Sequence, residues 1–191
     1  MKLKEIGTNF KPQKGALLIG EPFMADPNFK KSLVLLCEHE LEGSVGFVIN
    51  KPMNIMCSEL VPDILDYDFP LFYGGPVEEN SLHFIHRLGH LIEDSIEICD
   101  GIFWGGDIEQ VNTLLKEQKA TEKDFKFFIG YSGWGPNQLE IEMEHKAWWS
   151  GYANTQIVFE TPADEMWSLQ VKELGEDYAY LVNSPEDYLW N

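Results

Sequence analysis

Between Ser32 and Asn50 the chain reads SLVLLCEHELEGSVGFVIN, two short apolar runs on either side of a polar, glycine-containing connection. Side chains alternate along an extended segment, so Leu33 and Leu35 fall on one side and Val34 and Leu36 on the other. Both sides are apolar as far as Leu36, which predicts a strand buried on both faces and therefore a sheet covered by further layers. Residues 45–50 predict its neighbour, and the five residues from Glu40 to Ser44 suit a hairpin between the two.

Apolar runs of the same kind recur at residues 15–20, 71–75, 82–86, 96–99 and 125–131, bounded by Gly, Pro and Asn, and each predicts a strand. Two segments have helical spacing. Over residues 107–119, Ile108, Val111, Leu114 and Leu115 form a stripe, with Asp107 and Gln110 in a capping-box pattern. Over residues 161–174, Thr161 is placed to cap, Pro162 to occupy the first turn and Gly175 to stop the helix, with Trp167, Val171 and Leu174 on the buried face. Residues 57–65 suit a short helix limited by Pro62. Residues 136–146 alternate like a strand, but Pro136 and the Leu139, Met143, Ala147 spacing favour a helix. Strands outnumber helices and several have hairpin-length connections, which predicts an α+β or mixed α/β fold and not a regular βαβ winding.

With 191 residues, 44% hydrophobic and 13% aromatic, the chain suits one domain with a real core. The longest apolar run is about five residues, against the ~20 that span a bilayer. MKLKEIGTNF at the start has no apolar secretion core, and Cys37, Cys57 and Cys99 are odd in number and far apart. Reduced thiols in a cytoplasm are the expectation. The net charge is −18, and only residues 1–31, with six Lys against three acids, are basic. Nucleic-acid affinity comes mainly from cations that neutralise phosphates, so direct DNA binding is disfavoured.

Where the strand beginning at Ser32 emerges, alternation puts Cys37 and His39 on one face and Glu38 and Glu40 on the other. A recess shared by the Cys37 thiol and the His39 imidazole at a sheet rim is the expectation, and it would suit a redox-responsive thiol or thiol enzyme. A buried, inert Cys37 beside a hydrogen-bonded His39 is the competing reading. HELEG supplies one His, short of a metal-ligand set. Two glycine loops add polar backbone: FYGGPV, with Gly74, Gly75 and Pro76, and GYSGWGPNQLE, which reads strand, glycine turn, helix. In the second, the N–H groups of Asn137 and Gln138 form a possible anion or carbonyl cradle. Its spacing is not that of a dinucleotide or P-loop motif. Trp134 stands where a nucleophile elbow around Ser132 needs glycine, so a serine hydrolase is disfavoured.

GALLIGEPFMADPNFKKSLVLLCEHELEGSVGFVINKP, FYGGPVEENSLHFIH, GYSGWGPNQLE and Trp148 together resemble the YqgE/AlgH family of bacterial proteins. The resemblance runs from about Gly15 to Leu174, leaving residues 175–191 as an acidic, aromatic extension that is expected to dock through Tyr180, Leu181, Val182, Leu189 and Trp190. It implies a bifurcated, partly barrel-like β-sheet surrounded by helices, and it supports the helix over residues 136–146. Family members are described as uncharacterised or as candidate transcriptional regulators, with no metal or organic cofactor. The resemblance marks His39, Asn50, Gly74, Gly75, Pro76, His86, Tyr131, Gly133, Trp134, Gly135, Gln138 and Glu140 as a candidate pocket beside Cys37. The functional expectation is a regulatory protein acting through a protein or small-molecule partner, since the sequence completes no catalytic constellation.

Overall fold

The computed structural model describes residues 11–62 and 65–183. The strands are β1 (Ala16–Gly20), β2 (Leu33–Glu40), β3 (Gly43–Val48), β4 (Pro52–Met56), β5 (Pro70–Tyr73), β6 (Val77–His86), β7 (Ile96–Cys99), β8 (Ile102–Trp104), β9 (Phe125–Trp134) and β10 (Trp148–Tyr152). The helices are α1 (Cys57–Leu60), α2 (Ile108–Lys116), α3 (Gln138–Glu144), α4 (Ala163–Glu173) and α5 (Glu176–Ala179). This is a mixed α+β fold. None of the helices described is long and apolar enough to cross a membrane.

The strands join in the order β10-β1-β2-β3-β9-β6-β8-β7, and β4 and β5 branch from β9. Bifurcation happens within β9. One edge pairs with β6 over Phe125–Tyr131. The other edge pairs in parallel with β5 through Phe127, Phe128 and Ile129, then antiparallel with β3 through Ser132, Gly133 and Trp134. Gly130, at φ +69, sits at the changeover, a conformation that a residue without Cβ adopts freely. The segment GYSGW is therefore strand throughout, not the glycine turn expected; the turn comes at residues 135–137, where Asn137 has φ +59. Strict alternation does not run across Gly130: Phe127 and Ile129 belong to one core, whereas Tyr131 packs with Phe128 against the other.

The strand from Leu33 is covered on both faces, as its pattern required. Leu33, Leu35, Phe47 and Ile49 face a core closed by Met166, Trp167 and Val171 of α4. Val34, Leu36 and Val48 face a second core with Trp134, Trp148 and the Leu139 and Met143 of α3. A third cluster packs Val111, Leu114 and Leu115 of α2 against Phe125, Phe127 and Ile129. The short β4 and β8 and the tryptophan-rich β10 were not legible as strands. Helix caps also shifted. The Asp107 carboxylate accepts from Glu109 N, while Gln110 accepts from Glu93 N across the loop and not within a capping box. Thr161 instead donates to Gln156 O, and Pro162 takes the cap position of α4. In the tail, Leu181 is buried and Val182 packs on the core, but Tyr180 is exposed; Leu189 and Trp190 lie outside the described residues.

The bifurcation depends on main chain lying directly on main chain. A Cβ at Gly74 would stand 2.2 Å from the Gly130 carbonyl oxygen. We expect Gly74→Ala to lower stability in urea titration by about 3 kcal/mol or to prevent folding, as overpacking against immovable backbone does. Gly105→Ala, where a Cβ meets nothing within 4 Å, carries only the strain of φ +69 and should cost about 1 kcal/mol.

Candidate functional site

Strand β2 does not alternate to its end. Leu36 pairs with Gly46 and Glu38 with Val45, so Cys37 is the additional residue of a β-bulge. After the bulge the faces are exchanged. Cys37 stays on the α4 side, 1% exposed in the first core, with its Sγ 3.5 Å from Leu35 O. His39 pairs with Ser44 and turns to the α3 side, where Nδ1 hydrogen-bonds Ser44 Oγ at 2.8 Å and Nε2 lies 3.6 Å from Glu140 Oε1. The shared Cys37–His39 recess is thus overturned by one inserted residue. Burial pushes the Cys37 thiol well up, and Cys99 adds to the shift. Burial likewise raises Cys57 and Cys99, each to about 11. These shifts oppose the thiolate that redox chemistry requires.

The two glycine loops do converge, but on each other. Gly74 N donates to Ile129 O, and the Gly74 carbonyl accepts from Val48 N and from Ser132 Oγ, at 2.9, 2.9 and 3.0 Å. A Cβ at Gly75 would meet the Tyr131 carbonyl at 2.3 Å, and Pro76 lies exposed in the turn that follows. At α3 the Gln138 N–H of the expected cradle is already used. Gln138 N donates to Gly135 O, while the Gln138 side chain accepts from Gly135 N at 3.0 Å and donates to Glu142 Oε1 at 2.8 Å. Glu142 also accepts both indole N–H groups, from Trp134 at 3.0 Å and Trp148 at 2.9 Å. Phe29 lies against both rings. Glu142 was missed in the sequence, although its place four residues after Gln138 is the spacing for such a helix pair.

Asn50 and His86 are also committed to the scaffold. Asn50 Oδ1 accepts from Leu33 N at 2.7 Å and its Nδ2 donates to Lys31 O at 3.0 Å, pinning the entry to β2. His86 is 0% exposed, 17° from coplanar with Phe103. Leu88 N donates to its Nδ1 at 3.2 Å, so Nε2 carries the proton and donates to Gly105 O at 3.1 Å. Both nitrogens are used by a neutral ring, and burial holds its pKa below the ordinary value.

What remains accessible is a cleft of about 520 Å³ at the end of the β2–β3 hairpin. Its lining includes Val45, Val77, Gly133 and Tyr131, with the carboxylates Glu38, Glu40 and Glu42, and it contains neither Lys nor Arg. Gly133 keeps the floor open: a Cβ there would stand 3.2 Å from the Tyr131 ring. Of the residues expected from sequence, Tyr131, Gly133 and Trp134 line this cleft; Cys37, His39, Asn50, Gly74, Gly75, Pro76, His86, Gly135, Gln138 and Glu140 do not. Glu38, Glu42, Val45 and Val77 were not anticipated. The bulge that separates Cys37 from His39 also pairs Glu38 with Val45 beside the opening. Among the described residues no cluster of His, Cys, Asp and Glu is arranged to hold a metal ion. Chemically, the arrangement suits a cation with an apolar body.

Two outcomes follow from this geometry. Native-state alkylation near neutral pH should be slow at all three cysteines and slowest at Cys37, roughly a hundredfold below the unfolded chain, by mass mapping. A rate at Cys37 above those at Cys57 and Cys99 would contradict the sealed packing. His86→Phe keeps the ring stack but strands Leu88 N–H and Gly105 O, which should cost about 2 kcal/mol in urea titration. Because folding lowers the His86 pKa, the unfolded chain binds the proton more tightly. The contribution is complete above about pH 6.5 and declines as pH falls through the lowered value, so the wild-type advantage should shrink in acid.

A family model described as AlgH-like matches residues 17–179. The UPF0301 protein CT0663 of Chlorobaculum tepidum is 40% identical over 172 residues, covering 90% of this chain and 92% of the relative. A UPF0301 protein of Cytophaga hutchinsonii is 39% identical over 175 residues, 91% and 96% of the two chains. Among solved structures, AlgH from Pseudomonas aeruginosa superposes with a TM-score of 0.70 at 28% identity, covering 92% of this chain and 98% of that one. Protein DIP2367 of Corynebacterium diphtheriae gives 0.76 at 17% identity, over 92% and 94%, and shares the fold. The curled, half-barrel sheet with its helices is the AlgH arrangement. On sequence coverage and fold together, this chain belongs to the AlgH-like, UPF0301 family.

Proposed function

We propose that the protein is a non-catalytic regulator of the bacterial cytoplasm that works by binding a positively charged protein segment or small molecule in the cleft beside the β2–β3 hairpin. The observation that carries this reading is the combination of three carboxylates with an apolar, tyrosine-bearing floor and no lining cation. A chain of net charge −18 supplies a long-range attraction for such a partner, and a low-dielectric floor strengthens it locally. Tyr131 adds a ring face for an ammonium or guanidinium group. Leu41, 90% exposed at the hairpin tip between Glu40 and Glu42, offers an apolar contact beside the charges. The same field repels duplex DNA, so any influence on transcription would pass through another molecule.

Spermidine and a short Arg/Lys peptide, titrated separately while backbone amide resonances are followed, test the reading. Shifts should concentrate at Ser44, Val45, Tyr131 and Gly133, and should weaken with added salt. Glu38→Gln with Glu42→Gln should reduce affinity about tenfold, the sum expected of two exposed charge contacts. Cleft resonances unmoved by either probe, or retention on a generic duplex DNA column at moderate salt, would overturn it.

A further inference from the structure

Near the other end of β9, Lys126 occupies surroundings unlike those of a surface lysine. Its stem lines a second cavity of about 250 Å³, walled by Phe69, Pro70, Phe72, Phe125, Phe127 and Phe159. The amine lies 4.3 Å from the Phe72 ring centre and donates to the Ile49 carbonyl at 3.0 Å. Among the described residues no carboxylate forms an ion pair with it. The rim carries Glu122 and Lys123, whose charges oppose each other. Arg87, 5.7 Å from the Phe159 ring, is already bonded to Asp124 and Glu160.

From this cavity and the one amine held among its rings, we propose that Lys126 is a covalent capture site for a small apolar aldehyde or ketone, independent of the acid-rimmed cleft. A neutral amine keeps one N–H on Ile49 O and has a lone pair to spare. That pair attacks the carbonyl carbon, forming the C–N bond and a carbinolamine after proton transfer to oxygen. Loss of the hydroxyl with the remaining N–H proton, as water, gives the imine. No oxidant or second reactant is needed. The phenylalanine walls favour a neutral, planar product over an anionic adduct such as a carbamate, whose charge the apolar walls would desolvate. Desolvation supports the nucleophile: burial pushes the Lys126 amine down to about 7, so much of it is unprotonated near neutral pH, where exposed lysines are almost wholly charged.

The test is benzaldehyde with sodium borohydride trapping, on the full chain at about pH 7, followed by intact mass and peptide mapping. Lys126 should carry the adduct at least about tenfold above the median exposed lysine, given its larger neutral fraction. Prior unfolding in urea should abolish the preference, and Lys126→Met should lose the dominant adduct. If that variant fails to fold, the wild-type map still decides. Labelling spread evenly over the exposed lysines, or an unlabelled Lys126, would overturn the assignment; benzaldehyde adducts at Lys126 that persist equally after unfolding would do the same.

Discussion

The close approach of Gly74 and Gly75 to Gly130 and Tyr131 allows one strand to serve two halves of the sheet. β9 keeps β6 along one edge while exchanging β5 for β3 along the other. The exchange leaves a gap that no side chain could enter, and the Gly74 carbonyl fills its hydrogen-bonding needs by accepting from Val48 N and Ser132 Oγ. A buried carbonyl with two donors is well satisfied, so the junction is held by polar bonds as well as by shape. The first core, closed by α4, and the third, closed by α2, lie on opposite faces of this strand, with Phe128 in one and Phe127 in the other.

A single bulge has a comparable influence on the surface. Inserting Cys37 between two register-keeping pairs moves His39 to the α3 face and leaves Cys37 in the interior. The same step sets Glu38 against Val45 at the mouth of the acidic cleft. Many of the polar residues that give the family motifs their distinct appearance are therefore occupied in holding loops and strands: Asn50 on the β2 entry, His86 between Leu88 and Gly105, Gln138 and Glu142 beneath two indoles. Buried polar groups are costly unless bonded, and a network in which each has its partner specifies one arrangement.

Along β9 two electrostatic environments follow each other. At the start, burial among phenylalanines favours loss of the Lys126 proton, although its bond to the Ile49 carbonyl favours the charged form. At the end, Tyr131 and Gly133 open onto carboxylates in water. The rings at the start of the strand face inward under α2 and the loop before β5, whereas at the end Trp134 is still buried against α3 and Tyr131 and Gly133 line the open cleft. Different chemistry on one strand thus follows from which of its residues are covered.

The apolar runs 15–20, 33–36 and 125–129 and the helical stripe of α2 were legible because burial acts on each residue in proportion to its apolar surface, whatever its partner. The mixed α+β class and the double-sided burial of β2 follow from those patterns alone. The change of partner at Gly130, the bulge at Cys37 and the assembly of Glu38, Glu42, Val77 and Tyr131 around one opening were decided by tertiary structure. Strand pairing joins residues far apart in the chain, and a one-residue shift in register exchanges faces without altering local composition. The chain order of hydrophobicity therefore determined which segments are interior, while only three-dimensional pairing determined which side each functional group faces.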